Sequence, residues 1–305
     1  MAACKSSGRG LSCSEVTSSG CAKNIPGGLS VSLAALFVAV VLVSAGDVVA
    51  QSRPSEGGLS YLGFDRNDYP GDASLETLHK TFAYTGYWLN NPPGATSNRW
   101  AGHRAAVESA GFGFLVLFNG RLYVQLKTVA NATRLGRSDA RAAAAAAKRE
   151  GFPRATIIFL DQEQGGRMLP EQKAYIFAWV DGVASAGFRA GIYCSGLAAT
   201  DDGNVVTAED IQKSAGARSI VYWAINDGCP PAPGCAFPQH PPSPAQSGVP
   251  FAEVWQFAQS PQRKDVAGRC TNYSRDGNCN APGIDPLPID LNAATSSDPS
   301  HGRTR

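Results

Sequence analysis

The stretch TIIFLDQEQGG, residues 156–166, decides the fold because its mostly apolar first residues are followed directly by two carboxylates. Side chains alternate along a strand, so Ile157 and Phe159 share one face. Asp161 and Glu163 continue that same face. This pattern predicts a strand whose buried face ends in charge, as happens at the mouth of a barrel enzyme. The two acids lie roughly 6–7 Å apart at Cα, close enough for each to change the pKa of the other.

Outward from this stretch, apolar strands alternate with helical segments from Leu59 to Ala294. The helix in SDARAAAAAAKREG is the clearest of these segments, and Ser138 is its predicted N-cap. The strand-like segments are YLGFD, YTGYWLN, FGFLVLFNG, ATIIFLDQE, RAGIYCSG, SIVYWAIN, AEVWQFAQ and LPIDLN. Their number and spacing predict an α/β fold, a single-domain (β/α)8 TIM-type barrel. An open doubly wound sheet is the alternative. Such a sheet would be expected to carry a G-x-G-x-x-G turn after an early strand, and the sequence lacks one.

The N-terminal segment predicts export. Lysine and arginine residues precede an apolar run from Leu29 to Gly46, which ends near a small-residue motif before Gln51. We expect residues 1–50 to be a signal peptide or an N-terminal anchor, followed by a linker at 51–58. The barrel is expected at 59–294 and a disordered tail at 295–305. The protein is therefore expected to be secreted or extracytoplasmic, in the cell envelope, and to meet the membrane only through an uncleaved N-terminal segment.

Composition excludes some partners and leaves others open. The net charge of +2 argues against a dedicated nucleic-acid binder, whose basic face usually shows in the net charge. No cofactor and no metal site are expected. An oxidising compartment favours two local disulfides, Cys229–Cys235 and Cys270–Cys279, and leaves Cys194 as a buried thiol. A zinc site at the four loop cysteines is the alternative, but their spacing is wrong for the usual C-x2-C pairs.

Further acids and aromatic residues fall at predicted strand ends. Asp65 ends the first strand and Asp290 ends the last, and these two strands are neighbours in a closed barrel. We therefore expect both acids at the same mouth as Asp161 and Glu163. Aromatic rings near strand ends predict a sugar-binding cleft, because they stack on the apolar faces of pyranose rings. These rings are Tyr87, Trp88, Tyr193, Trp223 and Trp255.

The motifs GFD, DQE, GIY, YWAI, VWQFA and IDLN resemble, in that order, glycoside hydrolase family 25, the Chalaropsis-type lysozymes. They are more similar still to a related family of exported glycoside-hydrolase-like barrels of unknown function. The resemblance covers about Tyr61 to Asn292. Two regions depart from the lysozymes: the second strand, YTGYWLNNPPGAT, and the loop after YWAIN. Both changes lie on the substrate side of the expected cleft.

The resemblance implies roles for the acids and their neighbours. Glu163 would be the general acid, and Asp161 would stabilise positive charge or orient an N-acetyl group. Asp65 and Asp290 would hold the sugar. The expected substrate-binding residues are Asp65, Asp290, Tyr193, Trp223, Trp255, Gln256 and Tyr87.

Three hypotheses about function follow from the sequence. The first is a secreted lysozyme- or muramidase-like hydrolase that cleaves β-linked amino-sugar glycan, such as peptidoglycan, by carboxylate general acid catalysis. The second is a non-catalytic glycan-binding or cell-envelope protein on a glycosidase-like barrel. The third is a structural barrel whose acids pair with Arg66 and Arg167, which predicts no affinity for sugars.

Overall fold

The computed structural model describes residues 59–200, 203–227, 238, 240–258, 279–281, 283–284 and 287–304. The predicted leader and linker lie outside these residues. Within them, no helix is both long enough and apolar enough to cross a bilayer. The strands are β1 (Tyr61–Asp65), β2 (Tyr84–Trp88), β3 (Gly113–Asn119), β4 (Ile157–Asp161), β5 (Arg189–Ser195), β6 (Ala198–Ala199), β7 (Val205–Val206), β8 (Ile220–Ile225), β9 (Val254–Ala258), β10 (Cys279–Asn280) and β11 (Pro288–Ala294). The helices are α1 (Asp72–His79), α2 (Arg104–Ser109), α3 (Tyr123–Leu126), α4 (Val129–Arg149), α5 (Pro170–Ser185) and α6 (Thr207–Ser214).

Eight strands close into a barrel, which confirms the predicted fold class. Their order is β1-β2-β3-β4-β5-β8-β9-β11, and β11 pairs back onto β1. Closure leaves neither the first nor the last strand with an open edge. The cylinder also brings residues from opposite ends of the chain into register, as the pair Asp65 and Asp290 shows.

The last barrel strand corrects the expectation of eight parallel βα units. Neighbouring strands of the barrel from β1 to β9 are parallel, whereas β11 runs antiparallel to both β9 and β1. Parallel neighbours need a crossover, usually a helix, whereas antiparallel neighbours need only a loop. In the described part of the chain, the only helical turn between β8 and β11 is a short 3-10 turn at Pro244–Ser247. The repeating βα pattern therefore holds only for the first five barrel strands.

The helix layer shows one further difference from the sequence prediction. Helix α4 begins at Val129 rather than after Ser138, and the side chain of its N-cap, Thr128, accepts a hydrogen bond from the Asn131 N–H. Gly136, which has low helix propensity, lies just before the predicted N-cap at Ser138. In the fold, Gly136 packs against α5, where a Cβ would lie 2.3 Å from the Tyr175 carbonyl oxygen. Packing between helices therefore outweighs local propensity here.

The C-terminal segment is ordered, so the prediction of a disordered tail at 295–305 is wrong for its described residues. It crosses the barrel end opposite the acids and bonds to the starts of β3 and β4. The Ser300 N–H donates to the Phe114 carbonyl, and the Ile157 N–H donates to the Ser300 carbonyl. Arg104 also donates to the Gly302 carbonyl at 2.7 Å. Composition suggested a solvated tail, but its backbone groups complete strand ends that would otherwise lack partners.

Asp298 is expected to be the main anchor of this segment. Its carboxylate accepts the N–H groups of Phe114, Gly302 and Arg303 at 2.8, 3.1 and 3.0 Å. Because these are charge-assisted bonds to backbone donors, Asp298→Ala should lower the free energy of unfolding by about 3 kcal/mol. Urea denaturation measures this loss. Asp298→Asn keeps the oxygen shared by two of the donors and should cost clearly less, and equal losses would contradict the assignment.

The cysteine predictions are tested only in part. Cys194 is a buried thiol in β5, as predicted, and burial raises its pKa to about 12. Cys279 is buried in β10. Cys229, Cys235 and Cys270 lie outside the described residues, and so do both predicted disulfides.

Candidate active site

The four acids singled out by the sequence analysis line one open cavity of about 970 Å³ at the mouth of the barrel, and Asp68 lines it as well. Asp65 ends β1 and Asp161 ends β4, while Glu163 lies two residues beyond β4. Asp290 faces Asp65 across the pairing of β1 with β11. The sequence prediction that these acids meet at one rim therefore agrees with their positions.

Asp290 reaches this rim for a different reason from the one predicted. The sequence placed it at the end of the last strand, but β11 runs from Pro288 to Ala294, so Asp290 lies near the strand's beginning. Because β11 is antiparallel to its neighbours, its beginning lies at the end of the barrel where the parallel strands finish. In a parallel last strand, the same residue would lie at the opposite end.

Besides Asp65 and Asp290, three of the predicted binding residues line the same cavity: Tyr193, Trp223 and Gln256. Tyr193 is in register with both Asp161 and Trp223, and its ring centre lies 4.5 Å from that of Trp223. Neighbouring residues in register point to the same side of a sheet. These two rings and Asp161 therefore lie side by side inside the mouth, although Trp223 itself is only 1% exposed.

Trp255 and Tyr87 do not line the cavity, contrary to the prediction. Trp255 is fully buried on the opposite face of β9 from Gln256, and its indole N–H donates to the Asn226 carbonyl at 2.8 Å. The Tyr87 hydroxyl points into the helix layer and donates to Glu150 at 2.5 Å. The adjacent residue Trp88 lines the cavity instead. The prediction rested on nearness to a strand end, which does not show which face of the strand a side chain occupies. The alternation of side chains, counted from Asp161 and Gln256, could have shown the face.

A hydrogen-bond network fixes Asp65. The Trp223 indole N–H donates to the Asn292 side-chain oxygen at 3.0 Å, and the Asn292 amide nitrogen donates to Asp65 Oδ1 at 2.6 Å. The Tyr193 hydroxyl donates to the Gln256 side-chain oxygen at 2.8 Å, and the Gln256 amide nitrogen donates to that same Oδ1 at 2.9 Å. An indole nitrogen can only donate, so Trp223 sets which way the Asn292 amide faces. Both amides therefore direct their N–H groups at a single oxygen of Asp65.

Asn292 is a site residue that the sequence analysis quoted in a motif but assigned no role. It lies two residues after Asp290 in β11, and alternation therefore places it on the same face. A buried asparagine within an apolar strand needs partners for its amide. That spacing was the signal that could have identified it.

Burial dominates the electrostatics of the acids. It raises the pKa of Asp65 from 3.8 to about 6, although the hydrogen bonds from Asn292 and Gln256 act in the opposite direction. It also raises the pKa of Asp161 well above its usual value, and repulsion from Glu163 and Asp65 adds to that shift. The pKa of Glu163 is raised by the desolvation of its carboxyl group. Three acids therefore hold protons at a higher pH than they would in water.

Asp161 and Glu163 differ in exposure and therefore in what each can do. Asp161 is 6% exposed, and its Oδ1 has no hydrogen-bond partner among the described residues. A buried oxygen without a donor disfavours the charged form of the carboxyl group, in agreement with the raised pKa of Asp161. Glu163 is exposed at the cavity mouth and forms no ion pair or hydrogen bond with another described residue. It can therefore reach a bound ligand, and its raised pKa favours a transferable proton.

Metal binding finds no support in the described part of the chain. No group of three or more histidine, cysteine, aspartate or glutamate side chains there is placed to hold a metal ion.

A family model described as Rv2525c-like, glycoside hydrolase-like domain matches residues 84–268. The chain belongs to this family. The match covers more than half of the sequence and includes Asp161, Glu163, Tyr193, Trp223 and Gln256. Membership in the Rv2525c-like family confirms the resemblance to exported glycoside-hydrolase-like barrels. No curated protein matches the chain.

Solved structures share the fold at low sequence identity. An uncharacterised protein of B. stearothermophilus is similar with a TM-score of 0.50 and 19% identity, over 77% of this chain and 95% of that one. The glycosyl hydrolase 25 GHIP of Streptococcus pneumoniae has a TM-score of 0.50 and 13% identity, over 76% and 86% of the two chains. The Tat-secreted protein Rv2525c of Mycobacterium tuberculosis has a TM-score of 0.45 and 13% identity, over 77% and 94%. At these identities the two structures with a TM-score of 0.50 support the barrel fold and nothing finer.

Proposed function

We propose that this protein is an extracytoplasmic glycoside hydrolase that cleaves β-linked amino-sugar glycan of the cell-wall type. The observation that carries the proposal is the convergence of Asp65, Asp161, Glu163 and Asp290 in one cavity beside Tyr193 and Trp223. Glycosidic cleavage needs one carboxyl group that keeps a proton next to others that carry or stabilise charge. The raised pKa values supply the first requirement.

In the proposed reaction, Glu163 transfers its proton to the oxygen that leaves as the glycosidic C–O bond breaks. Positive charge then develops at the anomeric carbon. Asp161, which lines the cavity, accepts the N–H of the sugar's acetamido group through its carboxyl group, which orients the acetamido group. Asp65 and Asp290 hold the sugar from the opposite wall. A water molecule then adds to the anomeric carbon and gives up a proton, which restores the protonated Glu163.

Recognition of a polysaccharide is supported by the shape and lining of the cavity. Its volume of about 970 Å³ lies near the top of the usual range for ligand sites, about 300–1,000 Å³. Tyr193 gives it an aromatic wall, which packs on the buried ring of Trp223, and carboxylate and amide groups supply hydrogen bonds for hydroxyls. This mixture of apolar faces and polar edges is what a pyranose ring presents.

The localisation and domain limits belong to the same proposal. Residues 1–50 would direct export as a signal peptide or an anchor, and 51–58 would link them to the barrel. N-terminal sequencing of the exported protein tests this directly. A mature chain that begins near Gln51 favours cleavage, whereas an intact N-terminus on membrane-bound protein favours anchoring.

A second function, glycan binding without cleavage, is favoured by one wall of the cavity. The segment after β2, which departs from the lysozyme pattern, lines the cavity from Pro93 to Ser97 and again at Arg99. A changed wall can hold a sugar without presenting its bond to Glu163.

The decisive experiment incubates the full protein with peptidoglycan, chitin oligomers and neutral β-glucans. It measures new reducing ends together with binding by calorimetry. New reducing ends from an amino-sugar polymer support the hydrolase. Binding without new ends supports the second function, and no binding to any glycan overturns both.

A further inference from the structure

A second cavity, of about 350 Å³, lies beside the first and has no part in the proposed cleavage step. It is formed by residues that follow β2 and β3 together with side chains from α3 and α4. Asn119, Gly120 and Gln125 line both cavities. A ligand in the first cavity that carries a side branch can therefore place the branch in the second.

The second cavity is electrically balanced. Asp139 is 6% exposed and accepts Nε and Nη2 of Arg121 at 2.7 and 2.9 Å. It also accepts the Tyr175 hydroxyl at 2.9 Å. Because these donors satisfy the carboxylate and the ion pair cancels both charges, the cavity favours a neutral polar group over a free anion or cation.

The residues at the junction of the two cavities offer one donor and one acceptor. The Gln125 side-chain oxygen accepts the Leu122 N–H at 2.8 Å, which turns its amide nitrogen outward. The Asn119 amide nitrogen donates to the Asn91 carbonyl at 2.9 Å, which turns its oxygen outward. Backbone groups have fixed donor and acceptor roles, so both orientations are determined. Neither outward atom has a partner among the described residues.

We propose that the second cavity binds an amide-bearing, peptide-type branch of the glycan whose sugar occupies the first cavity. The branch carbonyl accepts from Gln125, and the branch N–H donates to Asn119. Phe118, which is 5% exposed, supplies an apolar floor for a small side chain. The inference rests on the proposed function, because it places the sugar in the cavity of the four acids. It narrows the substrate from amino-sugar glycans in general to those that carry peptide branches.

The test compares two peptidoglycan tetrasaccharides, one with alanyl-isoglutamine branches and one with the branches removed by an amidase. Calorimetry uses the full-length Glu163→Gln protein, so that neither ligand is cut. Two added neutral hydrogen bonds should make the branched ligand bind about tenfold tighter. Gln125→Glu in this protein keeps the oxygen that Leu122 requires and removes the donor. It should abolish the preference for the branched ligand.

Gln212→Glu is the matched control, because it makes the same chemical change at an exposed position on α6. It should retain the tenfold preference. Equal affinity of the starting protein for both ligands overturns the branch site and leaves the proposed function standing. Retention of the preference in Gln125→Glu also overturns the assignment. Failure to bind either ligand overturns the branch site together with glycan recognition.

Discussion

Glu163→Gln is expected to lower kcat on amino-sugar glycan by about 10²–10⁴-fold, the usual contribution of a general acid. Glutamine has nearly the same size but carries no acidic proton for the leaving oxygen. Because Glu163 is exposed and bonds to no other described residue, the substitution should leave the melting temperature almost unchanged. Release of reducing ends measures the first effect, and circular dichroism on heating measures the second.

An activated substrate separates general acid catalysis from other effects of this substitution. A 2,4-dinitrophenyl glycoside has a leaving group that departs without protonation, so Glu163→Gln should cleave it at close to the wild-type rate. Glu76→Gln, at an exposed position on α1, is the matched control and should retain full activity on both substrates. An equal loss on the natural and the activated substrate would show that Glu163 acts in some way other than as the proton donor.

The sequence predicted the barrel and the meeting of its acids because both depend on short-range patterns. Alternation along β4 places Asp161 after Phe159 on the inner face, and the paired ends of β1 and β11 bring Asp65 opposite Asp290. Strand direction is not a local property. The direction of β11 depends on the length and path of the connection before it. Asp290 was therefore predicted at the correct rim, but from an incorrect strand direction.

The other features that the sequence analysis did not predict also depend on contacts between segments that are distant in sequence. Thr128 rather than Ser138 is the N-cap of α4, because packing of Gly136 on α5 offsets the low helix propensity of glycine. The ordered tail depends on Asp298, which bonds the β3 residue Phe114 far away in sequence. Asn292 belongs to the site because it accepts a hydrogen bond from Trp223 and donates one to Asp65. No single segment of the sequence contains all three residues. Each of these contacts exists only once the barrel is closed.

Asp65→Asn is expected to stabilise the protein at pH 7 by about 3 kcal/mol and to remove part of its pH dependence. Burial raises the pKa of Asp65 from 3.8 to about 6, so the folded state holds the proton more tightly than the unfolded state does. A shift of about two pKa units corresponds to about 3 kcal/mol. The folded protein should therefore lose this amount of stability as pH rises from about 4 to about 6. Above that range the loss stays constant, and below it the loss disappears.

Asparagine suits this position because Gln256 and Asn292 both donate to a single oxygen of Asp65. The amide oxygen of the variant can accept both bonds while its nitrogen takes the place of the second oxygen. The buried charge is then absent, and its repulsion of Asp161 is absent as well. Urea denaturation at several pH values between 4 and 8 measures the difference between the two proteins, which should grow through this window and then level off.

Asp68→Asn, at an exposed position on the cavity rim, is the matched control and should follow the wild-type curve at every pH. Asp65→Asn should also lose glycan turnover, because the proposed function needs a carboxylate on this wall. A gain in stability with a loss of activity is expected for a functional site whose buried charges lower the stability of the folded protein. A variant less stable than wild type at pH 7 would show that the Asp65 carboxylate stabilises the barrel. The acids in the cavity would then have a structural role rather than a catalytic one.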